Sequence, residues 1–243
     1  MTQAMAKGME RGRCVTGIEG VDIILGGGIP VNSTVLVSGA PGTGKTSLAF
    51  EFLARGAVQG EAGLLISTIE SEQKLLSNIP PLDFFDDAQL KKGALVIVSL
   101  DEMMKTAGVS PTKMDQGAIE KLVGAIAKAV SAAKVKRLAI DTIDTLLTEV
   151  QGAVLDGVLL TELSEMLYKS GCTALLVSSR SATGALGAGV DGIVMLGNLE
   201  RRGDTLRTLQ VLKMKGTSHS RARYVIDLTP AGVLLTPLLR GGA

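Results

Sequence analysis

A glycine-rich motif near the start of the chain constrains the fold more than any other sequence feature. The motif occupies eight consecutive positions, which are Gly39, Ala40, Pro41, Gly42, Thr43, Gly44, Lys45 and Thr46. Ser47 follows it directly. The glycines let the backbone turn so that several N–H groups point at one anion, and Lys45 reaches the terminal phosphates of a bound nucleotide. The Thr46 hydroxyl is a ligand for Mg²⁺. The motif therefore predicts a site for ATP and Mg²⁺ built from residues 39–47.

The residues on either side of the motif have the patterns that such a site needs. Residues 34–38 are β-branched or apolar with no helical period, which predicts a buried strand, and residues 47–54 carry the apolar stripe of a helix. The start of that helix adds roughly half a positive charge at the phosphates. The alternative is a glycine-rich turn that holds no ligand, and the bare motif arises by chance in roughly 3 of 100 such chains. The order strand, loop and helix favours the nucleotide site.

The composition fits one α/β domain with an aliphatic core. The chain has 243 residues, of which 46% are hydrophobic and only 2% aromatic. A net charge of +1 argues against a general attraction to nucleic acid or to an anionic membrane. Cys14 and Cys172 are too few for a disulfide framework, and no apolar run reaches about 18 residues. We therefore expect a cytoplasmic protein with no membrane or nucleic-acid partner.

Strand and helix patterns alternate along most of the chain and give way to strands alone at its end. After the motif, apolar runs predict strands at 63–68, 94–98, 137–141, 173–177 and 192–196. Helical spacing lies between them at 73–77, which Pro80 and Pro81 end, and at 116–133 and 155–168. Alternating runs at 205–214, 223–228 and 232–235 predict further strands. This order indicates a mostly parallel twisted sheet flanked by helices, with a C-terminal antiparallel β extension.

The N-terminal residues carry weaker signals. Residues 1–12 read as a mobile tail, so that residues 13–243 form a single domain. Thr16 is expected to cap a short helix that ends at three consecutive glycines, 26–28. A small-residue loop is expected at 184–189.

Polar residues follow four of the predicted strands. Gly39, Glu70, Asp141 and Ser178 each stand at the carboxyl end of a strand. In open parallel sheets ligands bind beyond these ends, so the four residues are expected at one place.

Asp141 is the strongest candidate among the acids. An unpaired charge at the end of an apolar strand is costly, so the residue is either a structural cap or ion-pair partner or the second group that organises Mg²⁺. We favour the Mg²⁺ role, acting through the strand beside the phosphate loop, with Thr142 in support. Asp144 is expected to be a solvated loop acid.

Three segments together resemble one known family over nearly the whole chain. They are residues 16–30 leading into the phosphate loop, residues 138–142, and the run Leu212, Lys213, Met214, Lys215, Gly216, Thr217, Ser218 and His219. The chain resembles the single-domain KaiC-like ATPases of the RecA superfamily of P-loop NTPases. Lys215 stands where the family's last signature usually has Arg. The resemblance implies a RecA-like fold with bound ATP and Mg²⁺.

The same resemblance implies how the C-terminal signature is used. In that family the subunits form rings, usually of six, and the β extension reaches the γ-phosphate held by the neighbouring subunit. Lys213, Lys215 and His219 would then act in trans, in the manner of arginine fingers. For His219, the only histidine, the alternative is a hairpin-turn residue with no ligand.

One departure from the family concerns catalysis. The family usually has two consecutive acids after the second strand, the first being the general base for the attacking water, whereas this chain has Ile69 and Glu70. Either Glu70 or Glu72 takes that role, or the base is missing, at a cost of about 10²–10⁴ in rate. We therefore expect a ring-forming regulatory ATPase with slow hydrolysis and a protein partner. The alternatives are a non-hydrolysing ATP sensor related to the archaeal motility motor and a RecA/RadA-type DNA-dependent ATPase.

Overall fold

The computed structural model describes residues 12–68, 70–78, 82–110, 114–149, 153–182 and 184–238. The expected tail therefore lies outside the described residues except for Gly12, whose carbonyl accepts a hydrogen bond from Val31. Pro80, Pro81 and Ile69 also lie outside them.

Eleven strands are present in the described part of the chain. They are β1 (Arg13–Cys14), β2 (Ile29–Pro30), β3 (Thr34–Ser38), β4 (Gly63–Ser67), β5 (Leu95–Ser99), β6 (Arg137–Asp141), β7 (Thr173–Ser178), β8 (Gly192–Arg201), β9 (Asp204–Met214), β10 (Arg223–Thr229) and β11 (Gly232–Pro237). The helices among the described residues are α1 (Glu19–Ile24), α2 (Lys45–Val58), α3 (Glu72–Asn78), α4 (Ala88–Lys91), α5 (Leu100–Ala107), α6 (Gln116–Ala132), α7 (Asp144–Glu149), α8 (Ala153–Lys169) and α9 (Ala185–Ala188).

Nine strands form one sheet in the order β11-β10-β9-β8-β3-β7-β6-β4-β5. Strands β8, β3, β7, β6, β4 and β5 run parallel to one another, and β9, β10 and β11 add antiparallel pairs beside β8. This confirms the expected α/β fold, with its mostly parallel sheet and antiparallel C-terminal extension. Strands β1 and β2 pair separately.

The strand order corrects one expectation about the site. Asp141 at the end of β6 was expected on the strand beside the phosphate loop, yet β7 lies between β6 and the loop strand β3. Strand β4, which is the next strand after the phosphate loop along the chain, lies one position further from β3 than β6 does. Adjacency along the sequence does not fix adjacency in a parallel sheet, because each crossover helix can carry the chain past a neighbouring position.

Two hydrophobic layers cover the two faces of the parallel sheet. Alternate residues of β3 point to opposite faces, so Leu36 packs with α6 and α8 whereas Val35 and Val37 pack with α1 and α2. The layer with α6 and α8 consists of non-aromatic side chains, whereas the layer with α1 and α2 also contains Phe50 and Phe52. Helix α2 thus holds the residues that follow the phosphate loop against a rigid sheet.

Arg137 at the start of β6 ties the N-terminal segment to this core. Its side chain has no solvent exposure, and its N–H groups donate to the carbonyls of Val15, Thr16 and Phe52 and to the side chains of Gln59 and Glu61. A buried guanidinium is stable only when its donors are satisfied, and here every part of the fork has an acceptor. The sequence gives no local sign of this arrangement.

Two further expectations change in detail. Helix α1 begins after Ile18, and Thr16 is not its side-chain cap; instead the Asp22 carboxylate accepts hydrogen bonds from the Thr16 hydroxyl and from the Gly17 N–H. The segment expected as a loop at 184–189 contains the short helix α9. Both differences are local and leave the positions of the sheet strands unchanged.

Candidate functional site

The phosphate loop joins β3 to α2 at the carboxyl edge of the parallel strands. Gly42 and Gly44 have φ angles of +80° and +95°, a backbone conformation that residues with a Cβ adopt rarely. A Cβ on Gly39 would lie 2.4 Å from the carbonyl oxygen of Leu196. The loop backbone therefore passes closer to β8 than any other residue type permits, so these glycines are required by geometry and not only by the motif.

Lys45 points back into the loop. Its side chain is buried, and Nζ donates hydrogen bonds to the carbonyls of Gly39 at 2.7 Å and Ala40 at 2.9 Å. Burial lowers the pKa of Lys45, and the negative charges of Asp141 and Asp144 oppose that shift. The ammonium is thus held at the centre of the loop, where anionic phosphates would replace its two carbonyl partners.

Thr46 and Asp141 meet beside Lys45. The Thr46 hydroxyl lies close enough to the Asp141 carboxylate, which is mostly buried at the end of β6, to lower the pKa of that carboxylate. Burial raises the pKa of Asp141, whereas the nearby Thr46 hydroxyl and the charge of Lys45 act in the opposite direction. The structure thus brings together the two residues that the sequence assigned to Mg²⁺, across the intervening strand β7.

Asp144 is not the solvated loop acid that the sequence suggested. Its carboxylate accepts a 2.5 Å hydrogen bond from the Ser178 hydroxyl and a 2.6 Å hydrogen bond from the Ser179 N–H. Ser178 ends β7, and its carbonyl oxygen in turn accepts a hydrogen bond from the Gly39 N–H of the phosphate loop. Only one of the two donors is a side chain, the Ser178 hydroxyl, so the sequence around Asp144 carries no local signal for this contact.

Arg207 and Leu228 also contact the loop and were not predicted. The β8–β9 ribbon extends past the carboxyl edge of β3, so that Arg207 Nε donates a 3.0 Å hydrogen bond to the Gly42 carbonyl. Leu228 of β10 lies 3.2 Å from the position of a Cβ on Gly44. Strand patterns predict that these residues alternate between faces, but they do not show how far a ribbon extends beyond its neighbours.

Glu70 lies at the same edge but is directed toward its own helix. Its carboxylate accepts a hydrogen bond from Asn78 Nδ2 at 3.0 Å and lies 3.7 Å from Lys74 Nζ, both on α3. The Glu70 carbonyl accepts a 2.6 Å hydrogen bond from the Ser67 hydroxyl. The residues expected to converge all lie at the carboxyl edge of the parallel strands, namely Gly39, Glu70, Asp141 and Ser178. The Glu70 carboxylate, however, faces α3.

The C-terminal signature lies toward the amino-terminal ends of the parallel strands, opposite the ends that carry the phosphate loop. Lys215 N donates to the Asp191 carbonyl and Asp191 N donates to the Thr34 carbonyl, so Lys215 is level with the start of β3. The phosphate loop follows the end of the same strand, about 16 Å away for five extended residues. These residues are therefore remote from the phosphate loop of their own subunit.

A β-bulge sets the direction of Lys213. Ile193 pairs with Lys213 but Val194 pairs with Val211, so Leu212 has no partner in β8. The extra residue turns Met214 into the same hydrophobic layer as Val211 and turns Lys213 to the other face.

On that face Lys213 Nζ donates to the carbonyls of Gly187 at 2.8 Å and Val190 at 2.7 Å. Burial and the charge of Lys215 lower the pKa of Lys213. Lys215 itself is exposed, with Nζ 3.3 Å from Asp191 Oδ1, and His219 Nδ1 lies 3.1 Å from the Ser220 carbonyl. Each member of the signature thus has a partner within its own subunit.

The described residues contain no cluster of three or more His, Cys, Asp or Glu side chains that would hold a metal ion by themselves. A hydroxyl and a carboxylate beside a phosphate site are nevertheless the oxygen donors that Mg²⁺ takes when nucleotide phosphates and water complete its shell. Within the described ranges, no helix has both the length and the apolar character required to cross a membrane.

The fold and the loop define a P-loop nucleotide-binding protein. A family model described as the KaiC ATPase matches residues 14–240, and the chain belongs to this KaiC-like family of the RecA superfamily. As a member it is an ATP-binding regulatory ATPase.

Relatives of known sequence or structure agree with this assignment. A UPF0273 protein of Pyrococcus horikoshii is 34% identical over 238 residues, which cover 93% of this chain and 94% of the relative. The circadian clock protein KaiC2 of Synechocystis is 28% identical over 236 residues, which cover 93% of this chain and 40% of that protein. The crystal structure of the KaiC-like protein PH0186 from Pyrococcus horikoshii matches with a TM-score of 0.77 and 26% identity, covering 93% of this chain and 99% of that one.

Proposed function

We propose that this chain is a cytoplasmic, ring-forming regulatory ATPase, a hexamer that hydrolyses ATP slowly at its subunit interfaces. The observation that carries the proposal is the separation of the phosphate loop from the C-terminal signature. The phosphate loop lies at the carboxyl ends of the parallel strands and the signature lies toward their amino-terminal ends, so the two can meet only between subunits. A head-to-tail contact of this kind is heterologous and closes into a ring when its rotation permits.

Residues 39–47 hold the phosphates of ATP in this proposal. The loop N–H groups and Lys45 bind the β- and γ-phosphates, while Thr46 and Asp141 hold Mg²⁺. The metal ion supplies positive charge that offsets the charge developing on the phosphate oxygens. Support comes from the buried ammonium at the centre of the loop and from the proximity of the Thr46 hydroxyl to the Asp141 carboxylate.

Lys213, Lys215 and His219 serve the nucleotide of the neighbouring subunit. Each exchanges its present partner for the γ-phosphate. Lys213 leaves the carbonyls of Gly187 and Val190, Lys215 leaves Asp191, and His219 leaves the Ser220 carbonyl. A residue supplied in trans accelerates phosphoryl transfer by about 10³–10⁵. Lysine lacks the planar fork of arginine, so Lys215 gives the weaker end of that range.

Slow hydrolysis follows from the acids after β4. The first acid of the family pair is replaced by Ile69, and Glu70 serves as the base only if its side chain leaves Asn78 and Lys74. The same observation favours a second candidate function, an ATP sensor that binds nucleotide without hydrolysing it. In both cases the chain acts through its conformation on a protein partner.

Mixing two inactive variants tests the trans arrangement. Lys45→Ala subunits lose the ATP-binding ammonium but keep the signature, and Lys213→Ala/Lys215→Ala subunits have the opposite defect. Each variant alone is expected to release no phosphate above background, and their mixture is expected to recover part of the wild-type rate. The control is a mixture of Lys45→Ala with a variant of an exposed residue, Lys92→Ala. Its phosphate release measures the effect of subunit exchange alone.

Native mass measurements with and without ATP and Mg²⁺ report the ring. A double-lysine variant that hydrolyses ATP at the wild-type rate would contradict the trans role. A ring that binds ATP but releases no phosphate in the wild type would instead support the sensor.

A further inference from the structure

Asp191 connects the strand that carries the phosphate loop to the C-terminal signature. It directly precedes β8, and its N–H donates to the Thr34 carbonyl at 2.9 Å while its carbonyl accepts from the Lys215 N–H at 3.0 Å. Its carboxylate repeats both connections, because Oδ2 accepts from the Thr34 N–H at 3.2 Å and Oδ1 lies 3.3 Å from Lys215 Nζ. One residue therefore holds both the backbone and the ammonium of Lys215.

The ion pair between Asp191 and Lys215 is exposed enough to break. The Lys215 side chain is 55% exposed and lines an open cavity of about 440 Å³ beside α8, where Glu165 and Lys169 are the other charged side chains. Those two pair with each other at 3.5 Å, so within the described ranges Asp191 is the carboxylate that holds Lys215. An exposed ion pair of this kind changes an equilibrium by no more than about fivefold.

The two lysines of the signature differ in how they are held. The charge of Asp191 also acts on Lys213, where it opposes the lowering of the pKa by burial and by Lys215. The Lys213 ammonium, however, is bound by the carbonyls of Gly187 and Val190. Lys215 is thus the lysine of the pair that a carboxylate holds, and its release depends on the charge at position 191.

We infer that Asp191 is a positioning residue that keeps Lys215 in its own subunit until the γ-phosphate of the neighbouring subunit replaces the carboxylate. The inference rests on the proposed trans role of Lys215. A terminal phosphate carries more negative charge than a carboxylate, so bound ATP draws the ammonium across the interface. Without a γ-phosphate Lys215 stays on Asp191. The contact makes Lys215 respond to the neighbour's nucleotide and slows turnover by the work of breaking one ion pair.

A purely structural role for Asp191 makes a different prediction. If the carboxylate matters only because Oδ2 holds Thr34 at the start of β3, its loss impairs the phosphate loop of the same subunit. If it restrains Lys215, its loss changes the reaction at the neighbour's nucleotide. Asp191→Asn separates the two, because the amide oxygen still accepts from the Thr34 N–H but the side chain has no charge to hold Lys215.

The experiment places Asp191→Asn in one or the other member of a mixture of full-length subunits. The reference mixture combines Lys45→Ala, which supplies the lysines, with Lys213→Ala/Lys215→Ala, which supplies the phosphate loop. Adding Asp191→Asn to the Lys45→Ala chain is expected to raise steady-state phosphate release about two- to fivefold above the reference mixture. Adding it to the Lys213→Ala/Lys215→Ala chain is expected to leave the reference rate unchanged.

Glu165→Gln in the Lys45→Ala chain is the matched control. Glu165 lines the same cavity and its side chain is 64% exposed, but its partner is Lys169, so the reference rate is expected to persist. A rise equal to that of Asp191→Asn would overturn the inference, because any lost acid would then have the same effect. ATP binding by the Asp191→Asn single variant shows that it folds, and Asp191→Ser, which also removes the charge, replaces it if it does not.

Each other outcome is decisive. Release at the reference rate with Asp191→Asn in either chain overturns the inference and leaves the trans arrangement intact. A fall with Asp191→Asn in the Lys213→Ala/Lys215→Ala chain overturns it in favour of the structural role. A fall with Asp191→Asn in the Lys45→Ala chain overturns it as well, because Asp191 would then assist Lys215 instead of restraining it. If the reference mixture releases no more phosphate than Lys45→Ala alone, the proposed trans arrangement fails and the inference fails with it.

Discussion

Replacing Lys213 by Met tests whether the ammonium of this residue stabilises the segment at 184–191. Methionine keeps most of the apolar stem but removes the two hydrogen bonds to the carbonyls of Gly187 and Val190. The segment contains the short helix α9 and the turn into β8, and four residues of helix have little stability of their own. We therefore expect the substitution to raise the opening rate of this segment in the isolated subunit.

The size of the effect follows from the contacts. A hydrogen bond to a charged group contributes about 1.5–3 kcal/mol in net terms. Burial lowers the pKa of Lys213, which shows that desolvation of the ammonium offsets part of the two bonds, so we take one such contribution for the pair. A loss of about 1.5–3 kcal/mol corresponds to roughly 10- to 100-fold faster hydrogen exchange of the segment.

Hydrogen exchange followed by mass spectrometry measures this directly in dilute, nucleotide-free protein. Lys215→Met is the matched control, because that side chain is 55% exposed and its ion pair among the described residues is the one with Asp191 at 3.3 Å. Such pairs contribute about 0–1 kcal/mol, so exchange should rise by less than roughly fivefold. If Lys213→Met leaves exchange at 184–191 at the wild-type rate, the two hydrogen bonds do not stabilise the segment and the reasoning fails.

Two further predictions concern the missing acid and the cysteines. Ile69→Glu is expected to raise phosphate release above the wild-type rate by up to about 10²–10⁴-fold, because it returns a carboxylate to the usual position of the base. Unchanged steady-state phosphate release would show that a carboxylate at position 69 does not reach the water. Burial raises the pKa of Cys14 to about 11 and of Cys172 to about 12, against 9.0 for the unfolded chain. Because both folded pKa values are raised, the stability that the two neutral thiols contribute is fully present below pH 9.0. It is lost as the pH rises from 9.0 to about 11 for Cys14 and to about 12 for Cys172. Urea denaturation should therefore give a free energy of unfolding about 3 kcal/mol lower at pH 10 than at pH 8, and Cys14→Ala/Cys172→Ala should remove that difference.

Local patterns determined the elements of the fold. Strands at 34–38 and 137–141 were predicted with the bounds found in β3 and β6, because uninterrupted apolar runs flanked by turns have few alternatives. The phosphate loop was equally clear, since its glycines and Lys45 are required by the backbone geometry and the chemistry of one short segment. The family resemblance rested on the same kind of local information and was confirmed.

Tertiary structure decided how these elements combine. The order of the strands depends on hydrogen bonds between distant segments, and it separates Asp141 from the phosphate loop strand by β7. The direction of Lys213 depends on a single bulge in the pairing of β8 with β9, which reverses the alternation of faces that the sequence predicts. Asp144 was expected in solvent because nothing near it in sequence can hold its charge, whereas its donors lie more than thirty residues away in β7 and the residue after it. Contacts of this kind arise only when the sheet has formed, so no local pattern records them.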